Sequence, residues 1–301
     1  MHVESVSRSK FQPAFEMFAA SFAFATMSAL TNHLGDRIPW ALMAFFRIAI
    51  TFVIAFASAR ALGIRIFVLA APVMWLRSIA GTFGLLCTFH ALTHMPVTDA
   101  VTLLHTRPIW VAMLLAIEFR RLPGPLLWCS LGLGIAGVYV MERPTFDEGG
   151  IALWVALAGA VFSALSMVSL RNLGAVAPLA VVVHFSGLAA IISAVVAFTL
   201  PVDPGVWTQA NAARFLWLVP IGLFGTLGQV LLTRAYGKGE THLITVVGLC
   251  VIGWAALYDY LLSGRTIAHV QWLGILLIIA SILISAFADD SREERLASPA
   301  G

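Results

Sequence analysis

Apolar stretches of about twenty residues, bounded by charge, proline or glycine, recur along this whole chain. One such stretch crosses a hydrocarbon core of about 30 Å as a helix. In lipid the backbone must satisfy its own hydrogen bonds, so segments of this kind can only be helical. The chain therefore reads as an all-α, multi-pass membrane protein. Charged residues make up 11% of it, against about 25% in a soluble domain. A formal net charge of +3 with no basic cluster offers nothing to nucleic acid. Cys87, Cys129 and Cys250 all fall in apolar segments, which imply neither a disulfide framework nor a CxxC metal site. The polar start, MHVESVSRSKFQPAFE, is too long for a signal-peptide n-region, so the first apolar run is expected to be retained.

Charge and Pro/Gly punctuation predict ten membrane helices, roughly 14–32, 39–59, 72–94, 97–119, 124–141, 150–171, 178–200, 215–236, 242–262 and 269–288. Connections are short, and the longest, PVDPGVWTQANAAR (201–214), is expected to carry a short interfacial piece. Orientation follows from the arginine and lysine bias of the loops. With the N-terminus inside, eleven basic residues face the cytoplasm and four (Arg37, Arg143, Arg214, Arg265) face out. Both termini are thus expected on the cytoplasmic side of the inner membrane.

The two halves repeat. GTFG at 81–84 answers GTLG at 225–228, Ala91-Leu92 answers Ala235-Tyr236, Trp110 answers Trp254, and Trp128 answers Trp272. One offset of 144 residues covers every pair without a gap. Each half, 14–141 and 150–288, would hold five helices. Five is odd, so the second half would enter the membrane from the opposite side. Inverted repeats of this kind place substrate near mid-membrane at the repeat interface in many secondary transporters.

The sequence now resembles a known family. AFFRIAITFV (44–53), LRSIAGTFGLL (76–86), ALTHMPVTDAV with RPIWVAMLLAIEF (91–119), and AYGKGETHLITVVGLCVIGWAALYDYLLSG (235–264) are similar to drug/metabolite transporters of the EamA type. The resemblance implies ten helices in two five-helix repeats around a central cavity, and fixes no substrate. Three positions depart from the family's pattern. Arg107 stands where relatives usually carry a small residue before the proline, Ile252 is in register with Pro108, and Ser263-Gly264 replaces a closing glutamate.

Arg107 lies about 15 Å into its helix at the usual rise, near the midplane. Arginine does not shed its proton in a protein, and its planar fork suits a carboxylate or phosphate. Pro108 removes a backbone N–H and opens the helix locally, as at the broken helices where transporters build sites. Trp110, three residues on, shares that face, and His105 is its neighbour in sequence. Trp254, Tyr258 and Tyr139 are aromatics suited to a cavity wall. Arg47, within the FFR motif, is a further candidate cation with a structural reading beside it. Arg77 is expected to snorkel or pair near the cytoplasmic side. Asp99 and Asp259 are the candidate proton-coupling or gating carboxylates, with His90 and His184 as candidate titrating groups.

No nucleotide-binding motif is present, so the expected activity is secondary transport of a small organic metabolite bearing an acidic group, by alternating access, without a cofactor, as a monomer or homodimer. Two other classes compete. A lipid flippase would need a side-open groove. An intramembrane metalloenzyme would use His90 and His94 with Asp99, a spacing that can hold a metal.

Overall fold

The computed structural model describes residues 2–34, 38–66, 72–94, 103–120, 124–142, 150–199, 216–263, 270, 272–281 and 283–284, and these are helices and short connections with no strand among them. In chain order the helices are α1 (His2–Leu34), α2 (Trp40–Ala61), α3 (Pro72–His94), α4 (Arg107–Phe119), α5 (Pro125–Glu142), α6 (Gly150–Arg171), α7 (Pro178–Thr199), α8 (Leu218–Lys238), α9 (Thr241–Val247) and α10 (Cys250–Ser263), followed by α11 (Trp272–Ser281). Six, α1 to α3 and α6 to α8, are long and apolar enough to cross a membrane, and α5, α9–α10 and α11 supply shorter apolar stretches. The chain is a multi-pass membrane protein.

Proline opens three of these helices, at Pro72, Pro125 and Pro178. At the first helical position its missing N–H would have had no intrahelical partner anyway. The ends differ from expectation in two ways. α1 begins at His2, ahead of residue 14, and carries Pro13 inside it. The fourth segment is broken at His105-Thr106, as Pro108 led one to expect, and the ninth, expected as a continuous helix, is broken at Gly248-Leu249. The interfacial piece expected in 201–214 lies outside the described residues.

The helices pair in a regular way. α3 packs along α6 and α1 along α8; α2 crosses α7; α2 meets α8 and α3 meets α7; α4 leans on α6 and α10 on α1. Exchanging each first-half helix for its second-half counterpart leaves these pairings unchanged. Glycines of the GTFG and GTLG segments sit at close helix approaches. A Cβ on Gly84 would lie 3.1 Å from the Ser163 backbone nitrogen of α6, and one on Gly228 would lie 2.9 Å from the Phe24 ring of α1. Small residues at such crossings let membrane helices gain van der Waals contact that lipid cannot supply.

α5 and α11 meet through a reciprocal pair of hydrogen bonds. Ser130 Oγ donates to the Ser281 carbonyl at 2.9 Å, and Ser281 Oγ donates to the Ser130 carbonyl at 2.8 Å. Two turns along α5, Gly137 sits against the Gly274 carbonyl. In the 144-residue register 130 matches 274 and 137 matches 281, so the two contacts are images of each other. Removing both hydroxyls as Ser130→Ala with Ser281→Ala is expected to cost about 0.6 kcal/mol per bond. A double-mutant cycle on unfolding in mixed micelles would read this.

One end of the bundle holds a buried apolar cluster. It is the end where α4, α6 and α8 finish and α3 and α7 begin, and it carries Arg120, Arg171, Arg234 and Lys238. Met17, Met74, Leu115, Met167, Val181 and Tyr236 belong to one apolar cluster there, drawn from both halves. Nearby, Glu118 meets Arg171 at 3.7 Å, tying the end of α4 to the end of α6.

Candidate functional site

The stretch LLHTRPIW builds its own break. Leu103 and Leu104 are helical, His105 and Thr106 turn, and α4 restarts at Arg107. Pro108 has no N–H to give the Leu104 carbonyl, its partner four residues back. Arg107 fills that role from its side chain, its Nε donating to Leu104 O at 2.8 Å. Thr106 Oγ1 donates to Leu103 O at 2.6 Å and receives Trp110 Nε1 at 3.2 Å. The carbonyls loosened at the break are thereby satisfied locally, as a low-dielectric setting demands.

This cap uses only one edge of the guanidinium. The two terminal nitrogens of half-buried Arg107 make no hydrogen bond or ion pair with any described residue. The fork is fixed at its root and open at its tip. Within its electrostatic reach lies Tyr236 of α8, which is 1% exposed. Tyr236 Oη is 2.9 Å from Thr245 Oγ1 of α9 and donates to Met167 Sδ of α6 at 3.3 Å. Helices of both halves thus converge beside Arg107, at the edge of that apolar cluster. Sequence reasoning passed over Tyr236, although a signal was present: it occupies the repeat position of Leu92, a polar departure between otherwise matched halves. Tyr236→Phe is expected to lower the unfolding midpoint through loss of about 1 kcal/mol, readable by thermal unfolding.

The repeat-related helix is broken too, without a proline. α9 ends at Val247, Gly248 and Leu249 turn, and α10 begins at Cys250. Bonds three residues apart, Leu249 N to Val246 O at 3.0 Å and Val251 N to Gly248 O at 3.2 Å, replace the α-helical pattern. Tight turns of this kind in mid-helix often mark functional hinges. The Met17 side chain of α1 packs against the bare face of Gly248. The break falls within one residue of the position that the 144-residue register gives for His105 and Thr106.

Two broken helices, one of them carrying the half-buried Arg107, fit a substrate carrier better than a fixed structural bundle, and comparison with known proteins settles the family. The model of the EamA-like transporter family matches residues 13–143 and again residues 150–287. The chain belongs to the EamA-like transporter family. Among its curated relatives is a pseudopaline exporter of Pseudomonas aeruginosa, 28% identical over 88% of this chain and 93% of its own length. A riboflavin transporter of Rhizobium johnstonii is 24% identical over 94% of this chain and 93% of its own. Human solute carrier family 35 member G1 is 22% identical over 68% of this chain and 60% of its own. A crystal structure superposes with a TM-score of 0.80 at 20% identity, covering 91% of this chain and 97% of that one, which shows a shared fold.

Within this EamA-like transporter the other candidate residues fall into separate places. Trp254 and Tyr258 face α1. The Trp254 ring lies 5.3 Å from Phe18 and 5.1 Å from Phe22, and Tyr258 Oη is 2.5 Å from Thr26 Oγ1. Trp254 Nε1 is buried with no hydrogen-bond partner among the described residues. No contact joins this aromatic group to Arg107 among those residues. Arg47 is 5% exposed at the junction of α1, α2 and α8, its Nε 3.0 Å from Met27 Sδ and its chain against Gly225. His90 and His94 stack 3.9 Å apart, and His94 Nδ1 donates to the His90 carbonyl at 2.9 Å. His184 Nδ1 is 2.8 Å from Ser78 Oγ, under Trp75. His105 is half-buried in the turn and Tyr139 is exposed on α5. Asp99 and the Asp259 side chain lie outside the described residues. Arg77 does not snorkel: at 2% exposure it is buried between α3, α6 and α7.

Proposed function

We propose that the protein is a secondary active transporter that moves a small organic metabolite with an acidic group across the cytoplasmic membrane by alternating access. The observation that carries this reading is Arg107. Its Nε is spent on the carbonyl that Pro108 frees, and its remaining donors have no described protein partner. A membrane-embedded charge without a partner is costly, and a carboxylate or phosphate of the cargo would supply one bidentately. Trp110, bonded into the same break, offers a flat apolar surface beside it.

Two inverted five-helix repeats, rocking about the broken helices, are our reading of the movement. The exchangeable helix pairings, the matched breaks and the Ser130–Ser281 contact support it. The arginine and lysine bias supports cytoplasmic termini and an inner position for the basic end. The relatives' cargoes, pseudopaline and riboflavin by name, agree with an organic metabolite and leave its identity to experiment. A thermal-shift screen of purified protein against glutamate, citrate, histidine and choline, followed by proteoliposome flux, tests the assignment. Acids are expected to raise the midpoint. Stabilisation and flux by choline alone would overturn it.

A further inference from the structure

Arg77 is a buried cation for which the Arg107 site has no use. Its guanidinium lies over the Phe185 ring of α7, Cζ 4.3 Å from the centroid. Nη1 fills the space that a Cβ on Gly81 would need. Nε and Nη1 are buried with no hydrogen-bond partner among the described residues, and none of those residues pairs with it as a carboxylate. The titratable group facing it is His184, within electrostatic reach on α7. Arginine keeps its charge. The phenyl face returns part of the cost of burying it, and a buried charge without an ionic partner remains strongly unfavourable.

The surroundings show when that charge could find a partner. Arg77 is held by α3, by Ser166 of α6, whose Oγ donates to the Arg77 carbonyl at 3.3 Å, and by Phe185 of α7. On each of these helices the residue next to this layer, Met74, Met167 and Val181, belongs to the apolar cluster at the basic end. A movement that separated these helices at that end would part the layer beside Arg77.

We propose that Arg77 is a second anion-binding residue of the transport path, held against Phe185 while the apolar cluster at the basic end is packed and meeting the carboxylate or phosphate of the cargo when that cluster parts. Gly81 makes the stored position possible, because any side chain there would meet Nη1. This inference rests on the transport reading and not on Arg107 as anchor. The competing account is an arginine that cements α3 to α7 in every state.

The test begins with Arg77→Cys in a chain whose three cysteines, Cys87, Cys129 and Cys250, are serine. The sulfonate reagent methanethiosulfonate ethylsulfonate is applied to either face of membrane vesicles. The thiol is expected to react from the face bearing Arg171 and Lys238 about tenfold or more faster than from the other, because only opening of that end exposes it. A folded chain whose thiol stays unreactive from both faces overturns the proposal. Arg77→Met supplies the second arm. It is expected to fold with an unchanged or higher midpoint, since it removes an unpaired buried charge, and to lose about tenfold or more of citrate or glutamate flux, with Arg77→Lys recovering part. Flux within about twofold of the parent in Arg77→Met, or midpoints that fall in both variants, overturns it. If the parent chain moves no acid at all, the transport reading fails by itself, and the labelling still decides whether Arg77 becomes exposed.

Discussion

Arg107→Ala is expected to fold, to reach the membrane, and to lose about a hundredfold in kcat/KM for an acidic cargo, because charge-assisted hydrogen bonds contribute about 1.5–3 kcal/mol. Two separate losses are combined in this variant. The Leu104 carbonyl loses the Nε donor that stands in for the missing Pro108 N–H, a stability cost of about 1 kcal/mol. The fork is also lost, and with it the arginine charge placed at the break. Arg107→Lys separates the two. An ammonium keeps the charge but cannot cap Leu104 and present two coplanar donors together. It should retain some transport with a raised KM. Flux and unfolding midpoint measured on both variants show whether binding or folding is affected. Full transport by Arg107→Ala with unchanged KM would remove Arg107 from the site.

Gly137→Ala and Gly132→Ala are expected to act in opposite directions, although they are the same substitution on one helix. A Cβ on Gly137 would lie 2.8 Å from the Gly274 carbonyl and 3.1 Å from the Ile278 nitrogen, both backbone atoms of α11. Neither can recede unless α11 moves, and overpacking of this kind costs about 1–3 kcal/mol. A Cβ on Gly132 meets nothing within 4 Å, so alanine there should gain up to about 1 kcal/mol from helix propensity. Unfolding midpoints of the two variants, measured side by side, should move apart by several degrees. Equal shifts would mean that α5 and α11 do not approach as described.

Helix content was readable because lipid allows little else, and the family was readable from its resemblance to motifs such as AFFRIAITFV and LRSIAGTFGLL. Twenty apolar residues must be helical, and the GTFG and GTLG segments stand out as tight crossings against a background of larger side chains. The break at Arg107 was also readable, since proline announces it. Its counterpart at Gly248 and Leu249 was not, because no proline marks it and glycine within an apolar helix is ordinary in membrane proteins. Arg77 was legible as a structural residue able to snorkel or pair, but its direction was not. Distance along α3 placed it near the basic end, where a long side chain can reach water. Only the tertiary packing of Phe185 and Ser166 reveals that it turns inward. For Tyr236 the repeat register with Leu92 flagged a polar departure, but its partners Met167 and Thr245 belong to other helices and were not legible.

The central claim is that Arg107 receives an acidic group of the cargo. Counterflow of citrate and glutamate against their methyl esters, in proteoliposomes of the parent chain and of Arg107→Ala, tests it most directly. The account predicts that the parent prefers acid over ester by about a hundredfold, and that Arg107→Ala loses this preference while any residual flux becomes indifferent to charge. Equal transport of acid and ester by the parent, or a preference for acid that survives in Arg107→Ala, would contradict it.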